Sequence, residues 1–370
     1  MTTSPTNHDQ ETQPTQPAQP TFPPFRFADL SAPLLQAVQN CGWQEAMPVQ
    51  AQVIPWLVQG HDIIVQSQTG SGKTGAFLLP LLQKIDPQKA HAQALIMVPT
   101  RELAQQVKIE CERLATPLGI RSVAVYGGVG YGLQLEAFHR GAHIIVGTPG
   151  RLLDHLRRRN LSLERLQYLI LDEADEMLSM GFWPDMRAIR TFLPRQRISA
   201  MFSATIPGGV RLMADEFLRN PQFIGLSTDT VHVADMDHIY YVVDPMQKDR
   251  VLMRILEVEN PASAIIFCNT KSEVEYLAAL LSRFGCDVGQ ISGDLSQKDR
   301  ESVMDRLKQH KLRLLVATDV AARGIDVSKL EYVFVYDFPK DIEQYIHRAG
   351  RTGRAGNRGV AVSLVSMVEE

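Results

Sequence analysis

The chain has 370 residues, enough for two or three domains, and 45% of them are apolar, enough for proper cores. A net charge of -3 excludes polyanion binding by overall charge, so any such site must be a local cluster of Arg, Lys or backbone N–H groups. No stretch approaches the roughly 20 apolar residues of a membrane helix, the N-terminus lacks a signal-peptide layout, and Cys41, Cys111, Cys268 and Cys286 stand singly, which excludes a zinc ribbon or disulfide framework and makes the cytoplasm the expected compartment.

Residues 1–24 are rich in Pro, Thr and Gln with almost no aliphatic side chains, and are expected to be disordered. Short apolar runs follow at 62–65, 94–98, 122–126, 143–146, 168–171 and 198–202, with amphipathic stretches such as 101–114 and 150–159 between them. Short, nearly continuous apolar strands alternating with helices predict a parallel sheet covered on both faces. The period breaks over 228–237, read as a linker, and resumes with strands at 264–267, 287–291, 312–317, 332–336 and 360–365 and helices at 271–284, 297–309 and 342–349. Two α/β domains are therefore expected, over 25–227 and 238–370.

Two stretches carry chemistry. The run Ser67, Gln68, Thr69, Gly70, Ser71, Gly72, Lys73, Thr74 sits between the apolar residues Ile63 to Val65 and a helical pattern. Glycines there let backbone N–H groups turn toward an anion, the helix start adds its positive dipole end, Lys73 supplies a charge for β- and γ-phosphates, and Thr74 supplies a hydroxyl for Mg²⁺. The strict pattern has Gly where Ser67 stands. Downstream, Tyr168 to Leu171 lead into Asp172, Glu173, Ala174 and Asp175, placing carboxylates at the C-terminal end of a buried strand, where open α/β sheets bind ligands. Asp172 suits Mg²⁺, directly or through water, and Glu173 suits orienting or deprotonating an attacking water.

With these stretches in place, the chain resembles the DEAD-box family of ATP-dependent RNA helicases over roughly residues 25–364. Further motifs recur in order: Gly42 to Gln50, Pro99-Thr100-Arg101-Glu102-Leu103-Ala104, Gly127-Gly128, Thr148-Pro149-Gly150-Arg151, Ser203-Ala204-Thr205, Ile265 to Thr270, Gln297-x-x-Arg300, Ala317-Thr318-Asp319, Ala322-Arg323-Gly324-Ile325-Asp326 and His347 to Arg354. The resemblance implies two tandem RecA-like domains, each a parallel sheet flanked by helices. It also implies an enzyme that hydrolyses ATP with Mg²⁺ when bound to RNA, and that unwinds short duplexes or remodels RNA–protein complexes by domain closure. An ATP-gated RNA clamp or annealing chaperone would carry the same motifs. A translocase of a neighbouring group is disfavoured by Gln50 and by Asp172 to Asp175.

On this resemblance Gln50 selects adenine, since an amide both donates and accepts, and Phe27, or alternatively Phe25, packs on the base. Ala46 and Met47 stand where the family usually has Pro and Thr. His347, Arg351 and Arg354 complete the catalytic site from the second domain, Arg351 and Arg354 as arginine fingers, with Gly324 and Asp326 on the nucleotide. Pro99, Thr100, Arg101, Gly128, Thr148, Gly150 and Arg151, with Thr270, Arg300, Thr318 and Asp319, line an RNA-backbone track that fixes register without reading sequence. Ser203 and Thr205 bond to the Asp175 carboxylate and couple the two sites, so strand separation is expected to fail in a Ser203→Ala, Thr205→Ala variant. The chain stops soon after the last predicted strand, where family members usually continue into a helix and often a basic tail. Protein partners are not legible.

Overall fold

The computed structural model describes residues 22–67, 71–226, 236–292, 295, 297–309, 311–322, 330–339, 342–352 and 359–366. The first domain holds strands β1 (Ile63–Gln66), β2 (Ala94–Met97), β3 (Ser122–Val125), β4 (Ile144–Gly147), β5 (Tyr168–Leu171), β6 (Ile198–Ser203) and β7 (Gln222–Gly225). They form one sheet in the order β3-β4-β2-β5-β6-β1-β7, every pair parallel. The second holds β8 (Met236–Val242), β9 (Ala264–Phe267), β10 (Val288–Ile291), β11 (Leu314–Ala317), β12 (Tyr332–Val335) and β13 (Gly359–Val365), ordered β10-β11-β9-β12-β13-β8 and again parallel throughout.

Side chains alternate across a strand, so each central strand feeds two cores. Ala94 and Ile96 of β2 enter one apolar cluster while Leu95 and Met97 enter another on the opposite face. In the second domain Ala264 and Ile266 of β9 face one cluster, and Ile265 and Phe267 the other. This two-sided burial is why the strands read as continuous apolar runs.

Residues 1–21 lie outside the described residues, and so do 227–235, which hold most of the expected linker. Phe22, inside the expected tail, packs edge-on against Trp56 with ring centroids 4.8 Å apart. Met236 and Asp237, expected as the end of the linker, open β8, which pairs with β13.

Parallel strands all point their C-terminal ends the same way. The ends of β1, β5 and β6 therefore deliver Ser67, Asp172 and Ser203 to one rim of the first sheet. Ser67 N–H donates to the Ser203 carbonyl at 3.0 Å, joining the phosphate-loop strand to the strand that ends in Ser203.

Candidate functional site

The phosphate-loop strand ends in buried Ser67, whose hydroxyl lies 2.5 Å from that of Ser71. Gln68, Thr69 and Gly70 lie outside the described residues. Gly72, at φ +91°, caps the helix Lys73–Lys84, a left-handed conformation that favours glycine. Lys73 is buried and donates to the Ser67 carbonyl at 3.0 Å, so its ammonium is held at the mouth of the loop. Thr74 follows in the first helical turn.

Gln50 is buried beside this loop. Its Oε1 accepts from Met47 N–H at 3.0 Å and its Nε2 donates to the Gly72 carbonyl at 3.2 Å. The amide expected to read adenine thus binds the phosphate loop itself. Phe27 is buried, stacked on Trp43 and edge-on to Phe25, which is buried as well, so most of either ring is committed to the core.

Asp172 is buried, and its Oδ1 accepts from Glu173 N–H at 3.1 Å. Burial pushes its carboxyl above the ordinary range and Asp175 adds to this, while the Lys73 charge and the Glu173 N–H oppose. Glu173 adopts a left-handed backbone, φ 53° and ψ 56°, where a non-glycine residue is strained. Burial, then the charge of Asp172, pushes its carboxyl up to about 7 against the pull of Lys73 and Arg351. A carboxyl poised there is suited to exchanging a proton with a bound water.

Among the described residues no group of three or more His, Cys, Asp or Glu is placed to hold a metal ion. A cation at this rim would rely on one or two protein oxygens, Asp172 and Thr74, and on substrate phosphates. That hard-oxygen, phosphate-completed set fits Mg²⁺.

Asp175 connects the rim to its neighbours. Its Oδ2 accepts from Thr205 N–H at 2.9 Å and from Thr205 Oγ1 at 3.0 Å. Ser203 differs from the expectation: its Oγ accepts from Asp175 N–H at 3.2 Å and does not bond the carboxylate. Across the cleft, His347 Nδ1 hydrogen-bonds Glu176 Oε1, and His347 Nε2 lies 3.8 Å from Asp175 Oδ2. Burial by itself would lower the His347 pKa; the bond to Glu176 and the charges of Glu176 and Asp175 outweigh it and raise the pKa above the usual value. Arg351 is buried on the same side and acts electrostatically on both Glu173 and His347. Arg354, Gly324 and Asp326 lie outside the described residues.

Along the expected RNA track, Pro99 is buried and Thr100 caps the helix Arg101–Ala115, its hydroxyl accepting from Leu103 N–H at 3.2 Å. Arg101 lies over Gly128, at φ +82°, so closely that a Cβ there would collide with its guanidinium. Thr148 caps the helix Pro149–Arg157, and Gly150 is exposed on its first turn. Arg151 donates to the Val129 carbonyl at 3.0 Å and stacks 4.4 Å over the Tyr131 ring. Thr270 is exposed and caps the helix Lys271–Arg283 in a reciprocal pair with Glu273.

Two members of that set have charged partners within the protein. Arg300 Nε lies 3.0 Å from Glu102 Oε1 of the other domain, and its Nη2 donates to the Ala321 carbonyl at 2.6 Å. Asp319 accepts a fork from Arg348, Nε to Oδ1 at 2.7 Å and Nη2 to Oδ2 at 2.6 Å. Thr318 is buried beneath it, its carbonyl accepting from Ala321 and Ala322 N–H.

Glu102, Glu176 and Arg348 were not singled out from sequence. Each sits in a motif or, for Glu176, directly after one, beside a residue that was, which is the one signal that marks them. Arg348 is 1% exposed and also donates to Asn269 Oδ1 at 2.7 Å and to the Asp337 carbonyl. It therefore ties Asn269, Asp319 and Asp337 to the helix Ile342–Ala349 that carries His347.

Residues 47–213 match the family model described as DEAD/DEAH box helicase, and residues 247–356 that of the helicase conserved C-terminal domain. The chain is 44% identical over 342 residues to the DEAD-box ATP-dependent RNA helicase CshA of Bacillus cereus, covering 92% of this chain and 65% of that protein's length. It is 41% identical to the CshA of Geobacillus kaustophilus, covering 92% and 73%, and 45% identical to the ATP-dependent RNA helicase DeaD of Haemophilus influenzae, covering 88% and 54%. Among solved structures, S. cerevisiae Dbp5 bound to RNA and ADP BeF3 superposes with a TM-score of 0.81 at 31% identity, covering 91% of this chain and 88% of that one. A DEAD box protein from Methanococcus jannaschii gives a TM-score of 0.54 at 39% identity, covering 92% of each. The second pair is more alike in sequence and has the lower TM-score.

Proposed function

The chain belongs to the DEAD/DEAH box helicase family, and on that premise we propose that it is an RNA-dependent ATPase that closes its two domains on ATP and single-stranded RNA, locally separates short duplexes, and reopens after forming ADP and phosphate. The observation that carries this reading is the meeting of the domains over the carboxylates, with His347 against Glu176 and Asp175.

In this reading Lys73 and the N–H groups at the start of its helix hold the phosphates, and Gln50 exchanges its bond to Gly72 for one to adenine. Thr74 and Asp172 would hold Mg²⁺, which when bound supplies positive charge to phosphate oxygens. Glu173 orients the attacking water. Arg351, with Arg354, brings positive charge to the transferred phosphoryl only when the domains are closed, a contribution on the order of a thousandfold or more in rate. RNA lies along Thr100, Arg101, Gly128, Thr148, Arg151 and Thr270, whose groups suit phosphate and sugar rather than base edges. A cytoplasmic setting belongs to the proposal; among the described residues no helix is long and apolar enough to cross a membrane.

ATP hydrolysis measured alone, with single-stranded RNA and with matched DNA tests the proposal. RNA should stimulate strongly and DNA weakly, and Lys73→Ala should abolish turnover. Unchanged hydrolysis in that variant overturns the ATP site, and ATP-dependent retention on RNA without strand separation replaces the helicase by a clamp.

A further inference from the structure

Met47 is where the segment entering the first domain touches the phosphate loop. It caps the helix Pro48–Val58, and its N–H is held by Gln50. Its side chain is 41% exposed, yet its sulfur lies on Gly72: a Cβ built on Gly72 would stand 2.5 Å from Met47 Sδ and 3.0 Å from Gln50 Nε2. An exposed methionine and the glycine that opens the Lys73 helix are thus in direct contact.

We propose that Met47 is an oxidation site at which a hydroperoxide weakens ATP binding; the proposal rests on the ATPase reading above and adds a regulation of the same site. The sulfur lone pair attacks the terminal peroxide oxygen, an S–O bond forms as the O–O bond breaks, and the peroxide leaves as water or an alcohol. Sulfur is oxidised by two electrons and the peroxide reduced by two. The product is polar and chiral where the thioether was apolar, and it is reversible by methionine sulfoxide reductases.

Two consequences reach the loop. The sulfur rests on Gly72, so a sulfoxide oxygen turned to that side would press on the start of the Lys73 helix. The oxygen is also a hydrogen-bond acceptor beside Gln50 Nε2, whose present acceptor is the Gly72 carbonyl. Bonded to that oxygen, the amide is no longer free to donate to adenine, the contact that the ATPase reading assigns to Gln50.

Exposure makes the site selective. Among the described methionines only Met47 and Met246 are exposed, Met246 at 88% in the turn Pro245–Gln247 of the second domain, whereas Met97, Met177, Met186, Met201 and Met213 are fully buried. Met246 is therefore an internal control, exposed and in the other domain from the phosphate loop.

The test uses the full chain. Wild type, Met47→Leu and Met246→Leu are treated with hydrogen peroxide, then with a thiol reductant to restore cysteine sulfenic acids and disulfides, and the dissociation constant of a fluorescent ATP analogue is compared with each protein's own untreated value. Peptide mass mapping locates the added oxygen. Treated wild type and Met246→Leu should bind about tenfold more weakly, the scale of one lost hydrogen bond, methionine sulfoxide reductase should restore them, and the ratio for Met47→Leu should stay near one. Met47 oxidised with affinity unchanged, Met47 left unoxidised, or an equal loss in Met47→Leu overturns the proposal. Absence of binding in untreated wild type would instead sink the ATPase reading.

Discussion

His347 and Glu176, 171 residues apart in the chain, share a hydrogen bond across the cleft between the two domains. Glu176 is buried at the edge of the carboxylate rim, and the imidazole also faces Asp175, which Thr205 holds through two further bonds. None of these cross-cleft contacts survives separation of the domains, so their free energy counts only toward closure. Glu176→Gln keeps the shape and removes the charge. RNA-stimulated kcat/KM for ATP should fall about tenfold, the worth of one charge-assisted hydrogen bond, and a wild-type value would show that the pair is incidental to closure.

Closure should also depend on pH. The His347 pKa is raised in the closed form because Glu176 and Asp175 outweigh burial and the repulsion of Arg351. A group whose pKa is raised in one state stabilises that state fully below its unpaired value, about 6.5, and the contribution is lost as pH rises through the closed-form value. Energy transfer between dyes on the two domains, with a non-hydrolysable ATP analogue and RNA, should therefore report tighter closure near pH 6 than near pH 8.5. His347→Asn should flatten that profile. A slope of opposite sign would mean that the neutral imidazole is the closing form.

Arg348 predicts a stability effect confined to the second domain. Its guanidinium is 1% exposed and satisfied by Asp319, Asn269 and the Asp337 carbonyl, with Phe267 beneath it. Removing one partner of such a network leaves the other charge without compensation, at a cost of about 3 kcal/mol or more. Arg348→Met should lower the unfolding free energy of the second domain, read from its denaturant transition, by that amount and leave the first domain's transition in place.

The central strands were legible in the sequence because burial on both faces leaves a continuous apolar run, as in Ala94–Met97 and Ala264–Phe267. Two of the edge strands, β7 and β8, were not, whereas β3 and β10 at the opposite edges were. Gln222–Gly225 and Met236–Val242 have mostly partly or fully exposed side chains and pair on one side only, so they carry no such run, and the start of the latter passed for linker. The site divides the same way. Lys73 and Asp172 act where local sequence puts them, at the end of a strand or the start of a helix. Glu176 and Glu102 acquire their partners only through the packing of one domain on the other, and next to a helix start each looks like an ordinary dipole-stabilising acid. Arg300 also gains a partner through this packing: an arginine in a nucleic-acid motif suggests phosphate, and the fold sets the Glu102 carboxylate beside it.

That pairing gives the last prediction. Arg300 and Glu102 are both largely buried, 15% and 13% exposed at the side chain, and their contact joins the helix Gln297–Lys308 of one domain to the helix Arg101–Ala115 of the other. If Arg300 acts through Glu102, Arg300→Glu should weaken ATP-dependent RNA binding by about tenfold or more, Glu102→Arg should do the same, and the double exchange should recover much of the loss because it restores opposite charges. If Arg300 instead neutralises a phosphate, the double exchange recovers nothing. The two cases also differ in salt dependence: each phosphate contact on a single strand contributes about 0.7 to the slope of log K against log salt. Arg300→Gln should leave that slope unchanged while lowering affinity, whereas Arg101→Gln, at the surface beside Gly128, should reduce it by about that amount. A reduced slope in the Arg300 variant would place this residue on the RNA track.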